Sequence, residues 1–210
     1  MATPRTSEVR PRLLAVAALL LLPALLALHF GLVSVLLALG SSAAVSTGNN
    51  VWLSAADAIS RNNPEVHVAI ARYERQRAII TADGFRDIHL QESLARWQKA
   101  QQLRPLWPYY QLGAFDAEIL LDAPAEVIQQ RMNTLMTLAP NERGMDRSLL
   151  ELALFGWQKL TPEQQVWSLE RLDSARYETR KAVFQAAARI GVKPVLCSRM
   201  SWKKVRTFCR

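Results

Sequence analysis

Residues 90–120 read LQESLARWQKAQQLRPLWPYYQLGAFDAEIL, and this stretch decides the fold class. Leu90, Leu94, Trp97, Ala100 and Leu103 recur at three- and four-residue intervals, which places them on one stripe of a helix. Leu103-Arg104-Pro105 ends that helix, because proline restricts the residue before it and has no amide hydrogen to continue the ladder. After a short break, Trp107-Pro108-Tyr109-Tyr110 opens a second helix, carried by Leu112, Phe115, Ile119 and Leu120 to Asp122. Two amphipathic helices so joined leave apolar faces that other helices must cover.

Those helices are legible on both sides. Downstream, Pro124 starts one that ends at Leu138-Ala139-Pro140, and Asn141 is placed to cap another from Glu142 through Leu149, Leu152, Leu154 and Phe155 to Leu160. Thr161-Pro162-Glu163-Gln164 supplies the N-cap, the first-turn proline and the glutamine of a capping box. The helix it starts, through Trp167, Leu169 and Leu172, breaks or bends near Ser174, and a further one ends at Ile190-Gly191. Upstream, Asn63-Pro64-Glu65 begins a helix with Val66, Ile70, Tyr73 and Arg77 at helical spacing, ending near Asp83-Gly84. Asn50 is placed to cap one from Val51 to about Asn62. No stretch alternates with period two over a useful length, so the domain reads as all-α.

The N-terminal region differs in kind. Leu13 to Leu39 contains no charged residue, and about 20 helical residues suffice to cross a bilayer core. Pro23 should kink this helix, and His29 and Ser34 are its only clearly polar side chains. Arg5, Arg10 and Arg12 precede the span, whereas no Lys or Arg follows it until Arg61, so the positive-inside rule keeps residues 1–12 cytoplasmic and exports the rest. A cleavable signal peptide, cut after Ala43 or Ala44, is the rival reading; the apolar run exceeds the usual h-region and favours an anchor. The organisation expected is a cytoplasmic N-terminus (1–12), a transmembrane anchor (13–39), a linker (40–50), a helical domain (51–192) and a basic tail (193–210). About 170 residues beyond the anchor suit one compact domain.

Net charge is +8, unevenly distributed. Residues 176–210 hold ten basic residues and one acidic residue, Glu178. In the tail, Lys203, Lys204, Arg206 and Arg210 alternate with Trp202, Val205 and Phe208, a pattern that suits anionic headgroups, an acidic glycan or an acidic partner, or else a solvated face. Nucleic acid is implausible on the exported side. The only cysteines, Cys197 and Cys209, also lie here; an even count in an oxidising compartment reads as a disulfide, two free thiols being the alternative. A straight helix would separate their sulfurs by about 18 Å, so a bond requires the chain to turn back between Ser198 and Phe208.

Leu103-x-Pro105 and Leu138-x-Pro140 lie 35 residues apart, each ending one helix before another begins. That spacing suggests stacked helical hairpins. The segment resembles a tetratricopeptide repeat: Trp97 at the aromatic position, Ala100 at the small position, Pro105 at the closing proline, then Tyr109, Leu112, Gly113 and Ala125 in the next unit. Asp116, where an aromatic is usual, and the late Pro140 depart from the pattern. Small residues such as Gly113 and Ala117 let paired helices approach, while Trp97 and Tyr109 fill the angle between hairpins. With the basic N-terminus, single span and C-terminal cysteine, the chain resembles the small membrane-anchored proteins of bacterial exopolysaccharide clusters, the VpsP type. That resemblance implies an accessory part in polysaccharide assembly or export at the inner membrane, facing the periplasm and working with protein partners.

Catalytic patterns are sparse. His29, His67 and His89 lack zinc-site spacing, and there is no G-x-S-x-G or phosphate-cradling glycine loop. Asp116 with Glu118, or Asp122 with Glu126, would be a glycosidase-like carboxylate pair, but Pro124 interrupts the second. Trp107, Tyr109 and Tyr110 are candidates for sugar stacking or partner contact, against the alternative that they are core between helices. The expectation is a non-enzymatic scaffold with no cofactor.

Overall fold

A computed structural model describes residues 6–45, 48–81 and 83–209, and every regular element among them is helical. The chain forms two compact units, residues 1–61 and 62–210.

The first unit contains α1 (Thr6–Ser42) and α2 (Val51–Ile59). α1 runs unbroken past Pro23, and its segment Ala18–Ser42, 25 residues and almost wholly exposed, is long and apolar enough to cross a membrane. Ser34 Oγ donates to the Phe30 carbonyl at 2.8 Å, so its hydroxyl is satisfied within the helix. Asn50 does two jobs. Its Oδ1 accepts from the amides of Trp52 and Leu53, both at 3.2 Å, and its Nδ2 donates to the Gly40 carbonyl at 2.8 Å. One side chain thus caps α2 and fastens it to the end of α1. Leu53 packs on Gly40 so closely that a Cβ there would lie 2.5 Å from its Cδ2. The helix at Val51, assigned by sequence to the domain, therefore belongs with the N-terminal unit.

The second unit holds α3 (Pro64–Ile80), α4 (Asp83–Leu103), α5 (Pro108–Leu120), α6 (Ala125–Leu138), α7 (Asp146–Phe155), α8 (Pro162–Ser174), α9 (Tyr177–Arg189), α10 (Lys193–Arg199) and α11 (Trp202–Val205). α3 and α4 form an antiparallel pair, α5 packs on α4, and α6 and α7 follow on α5. α5 sits between two cores. Tyr110, Ala114 and Ala117 face Val68, Ala71, Trp97 and Ala100, whereas Phe115 belongs to the larger core formed with Ile128, Met132, Leu149 and Leu154. Gly113 lies directly against the Trp97 indole; a Cβ there would come within 2.5 Å of its ring atoms. Burying Phe115 completely contributes about 1.5–3 kcal/mol by area alone.

The signals at Asn63 and Thr161 act as read: Asn63 Oδ1 accepts from the Glu65 amide at 3.0 Å, and Thr161 and Gln164 form a reciprocal capping box. The stretch between Pro140 and Thr161 departs from expectation. Glu142, not Asn141, accepts from the Gly144 amide at 3.0 Å and opens a 3₁₀ turn at Arg143–Met145. α7 then stops at Phe155, and a second 3₁₀ turn spans Trp157–Lys159. The intervening Gly156 is buried where a Cβ would lie 2.5 Å from Ile119 Cδ1, so close packing on α5 displaces the continuous helix.

Arg171 on α8 secures the α6–α7 link. Its Nε donates to Asp146 Oδ1 at 2.7 Å, and its terminal nitrogens donate to the carbonyls of Ala139, Pro140 and Glu142 at 3.0, 3.1 and 2.7 Å. Both side chains are buried, with the guanidinium carbon 4.9 Å from the centre of the Trp167 ring. Carbonyls that lose helical partners at a proline-broken end are thereby satisfied.

Candidate functional site

Residues of α3, α5 and α7, with Trp97 of α4 and the turn residues Gly144 and Met145, line one groove of about 450 Å³. Spacing accounts for this: Tyr109, Leu112 and Asp116 recur along one edge of α5, and Ser148, Glu151, Leu152 and Phe155 along one edge of α7. Trp97 and Gly113 form the floor. Arg75 of α3 and Asp116 of α5 meet in a bidentate ion pair across it, with Nη2 to Oδ1 at 3.0 Å and a second contact from Nε. The hydrogen bond to Asp116 raises the Arg75 pKa above its ordinary value, against the opposing effect of burial. Arg72 is exposed at the edge, and Phe155 presents an apolar ring 58 % accessible.

Tyr109 marks one end of the groove. Its hydroxyl donates to Glu142 Oε1 at 3.1 Å, and burial, then that hydrogen bond, pushes its pKa up. The ring passes over Gly144, where a Cβ would meet the hydroxyl at 2.6 Å. Trp107 is half-exposed and 5.7 Å from Tyr109, ring to ring. Tyr110 is different: only 2 % accessible, it packs 6.3 Å from Trp97 and donates its hydroxyl to Glu65 at 2.7 Å. Of the three aromatic candidates, two reach solvent and Tyr110 is core.

A larger hollow of about 660 Å³ lies along α6. Several of its polar groups are engaged: Thr134 and Thr137 donate to carbonyls of their own helix, and Asn133 and the Gln129 carbonyl accept from Gln164. The smaller groove differs in setting an exposed cation, Arg72, and an exposed aromatic ring, Phe155, on the same lining.

The carboxylates act as ion-pair acceptors. Asp116 holds Arg75; Glu118, 3 % accessible, accepts two bonds from Arg131 at 2.5 and 3.0 Å; Asp122, in the left-handed region at φ 54°, pairs with Lys159. Arg131 also reaches Gln101 at 3.2 Å and contacts Gln111, giving a buried polar bridge from α6 to α4 and α5. Among the described residues no group of three or more His, Cys, Asp or Glu is placed to hold a metal ion.

Comparison with protein-family models, curated proteins and solved structures gives no match in any of the three.

At the C-terminus, Cys197 and Cys209 form a disulfide with Cα atoms 5.9 Å apart. The reversal it requires falls at Met200–Ser201, between α10 and α11. Trp202, Lys203 and Arg206 are exposed, whereas Lys204 pairs with Asp173 at 2.5 Å. Arg210 lies outside the described residues. Sequence reasoning missed the long-range cations. Arg75, Arg131 and Arg171 each find an acid 41, 13 or 25 positions away, and no local pattern announces such partners.

Proposed function

We propose that this chain is a non-enzymatic, single-pass membrane protein whose tetratricopeptide-like domain faces the periplasm and scaffolds a polysaccharide assembly or export complex. The observation that carries the reading is the groove of α3, α5 and α7, with an exposed cation at Arg72, an apolar anchor at Phe155 and a rigid Trp97–Gly113 floor. An interface of this kind takes most of its binding energy from a few anchors of aromatic and arginine type, and the groove lies within the size range of ligand sites. Support for membrane anchoring comes from the apolar segment of α1, and support for its orientation from the arginines before it. The link to polysaccharide rests on the VpsP-type resemblance alone. An adaptor role in a pilus or secretion system is the second reading; it shares the groove and differs in the partners expected. A degenerate glycan-active enzyme is less favoured, because Asp116, Glu118 and Asp122 all engage cations.

Purification in mild detergent with identification of co-eluting proteins tests the scaffold. Recovery of polysaccharide-assembly proteins is expected, along with their loss in Arg72→Glu and Phe155→Ala variants that keep the wild-type melting temperature. A chain that emerges alone under several conditions, or partners retained by both variants, refutes the groove. For orientation, a reporter active only in the cytosol should stay dark when fused to the C-terminus.

A further inference from the structure

The disulfide does more than close a loop. It folds the tail back so that Phe208 stacks on Phe184 at 4.8 Å and lies 5.6 Å from Tyr177, both on α9, while Val205 is fully buried. This seats α11 at the corner where α8 meets α9. Lys204 Nζ and Arg180 Nη1 converge there on a single acceptor, the Asp173 carbonyl, each at 3.4 Å. Cations about 25 positions apart in sequence thus form one cap, with Arg176, Arg180 and Lys181 from the start of α9 and Lys203, Lys204 and Arg206 from α11.

The cap is under-neutralised. Asp173 answers Lys204, but Arg176, Lys181, Lys203 and Arg206 make no ion pair among the described residues, and Glu178 is the only acid after Asp173. Two rings with polar edges stand exposed among these cations, Trp202 at 58 % and Tyr177 at 52 %. A solvated basic face has no need of exposed indole and phenol. The headgroup layer of a bilayer accommodates both, because amphipathic rings settle at the polar–apolar boundary while lysine and arginine reach lipid phosphates.

We propose that this disulfide-closed cap is a docking surface for anionic phospholipid headgroups. A lipid occupant is favoured over an acidic polymer because the same chain carries a segment apolar enough to cross a bilayer, which keeps a lipid surface at high local concentration. In that respect the inference rests on the membrane-anchor reading. It does not depend on any protein partner.

The test uses the full chain in nanodiscs of phosphatidylcholine alone, mixed with separate vesicles and scored by co-flotation. Vesicles containing phosphatidylglycerol should float the protein, pure phosphatidylcholine vesicles should not, and added salt should weaken capture. Each cation removed should lower partitioning about fivefold, so that the combined Arg176→Glu, Lys203→Glu and Arg206→Glu variant loses about a hundredfold or more. Lys99→Glu, on the exposed side of α4, should change nothing. Reduction of the disulfide should weaken capture, since it frees the tail from α9. Equal capture by neutral vesicles, or an unchanged triple variant with native near-ultraviolet dichroism, overturns the proposal. So does binding to a soluble polyuronate with none to phosphatidylglycerol vesicles, which assigns the cap to an acidic polymer. Partner recovery through the groove is read separately, so failure of the scaffold and failure of the cap are distinguishable.

Discussion

Substituting alanine for Gly113 reverses the usual sign of a helical glycine replacement. In an unobstructed helix interior Gly→Ala stabilises by about 1 kcal/mol, because the backbone entropy lost on folding falls. Here the new Cβ would lie within 2.5 Å of Trp97 ring atoms, where carbon atoms prefer about 3.5–4.0 Å. The indole has little room to yield: it is 6 % accessible and packed beside Tyr110. Overpacking of this kind costs about 1–3 kcal/mol, and several simultaneous contacts place it near the upper end. The net expectation is a loss of about 2 kcal/mol, or about 4–8 °C in Tm for a domain of this size. Near-ultraviolet dichroism of the full chain in detergent follows the tryptophan environment during melting. In a Trp97→Leu background the obstruction is gone, and Gly113→Ala should become neutral or stabilising, a coupling that a double-mutant cycle isolates. Gly84→Ala, with no atom near the added methyl, serves as the unobstructed control. A Gly113→Ala protein that melts above wild type would refute the close-approach argument.

Other measurements probe the remaining supports. Cys197 and Cys209 should resist thiol labelling until reductant is added, and reduction should cost about 3 kcal/mol at most, as expected for closing a short loop; immediate labelling of the untreated protein would remove the bond. Arg171→Leu leaves Asp146 buried without its main partner and should cost about 3–5 kcal/mol by denaturant titration. Arg171→Lys should fail to restore it, since an ammonium cannot span one carboxylate and three carbonyls; full rescue by lysine would mean that charge alone matters. Burial first, then its bond to Glu65, pushes the Tyr110 phenol up to about 12. The folded chain therefore keeps a proton that the unfolded chain releases near pH 10, so the contribution is present below pH 10 and is lost as pH rises toward 12. Stability measured across that window should fall less steeply in Tyr110→Phe, and an identical slope would sink the assignment.

How much of the candidate site could be read beforehand depended on the range of each interaction. Trp97, Ala100 and Gly113 were visible as a packing set because helical periodicity and residue size are local properties, and the caps at Asn50, Asn63 and Thr161 are likewise local. Asp116 looked like a defect in a repeat pattern. Its role appears only when α3 is laid beside α5 and Arg75 arrives opposite it. The stop at Gly156 was missed for the same reason, as a glycine's neighbour across an interface leaves no mark on its own segment. Trp107, Tyr109 and Tyr110 share composition and differ in fate, since successive helical positions point about 100° apart.

By itself the sequence determined an all-helical chain, an apolar N-terminal helix of spanning length, the positions of most helix ends, and a tail that had to reverse if its cysteines were to bond. These follow from periodicity, proline and glycine chemistry, capping and the reach of the backbone. Tertiary structure decided which helices share a groove, which acids are held by which arginines, and that the basic tail joins the start of α9 in one cap. Those outcomes depend on pairs of groups brought together from distant parts of the chain, and the energy of each pair exists only after the intervening helices have packed.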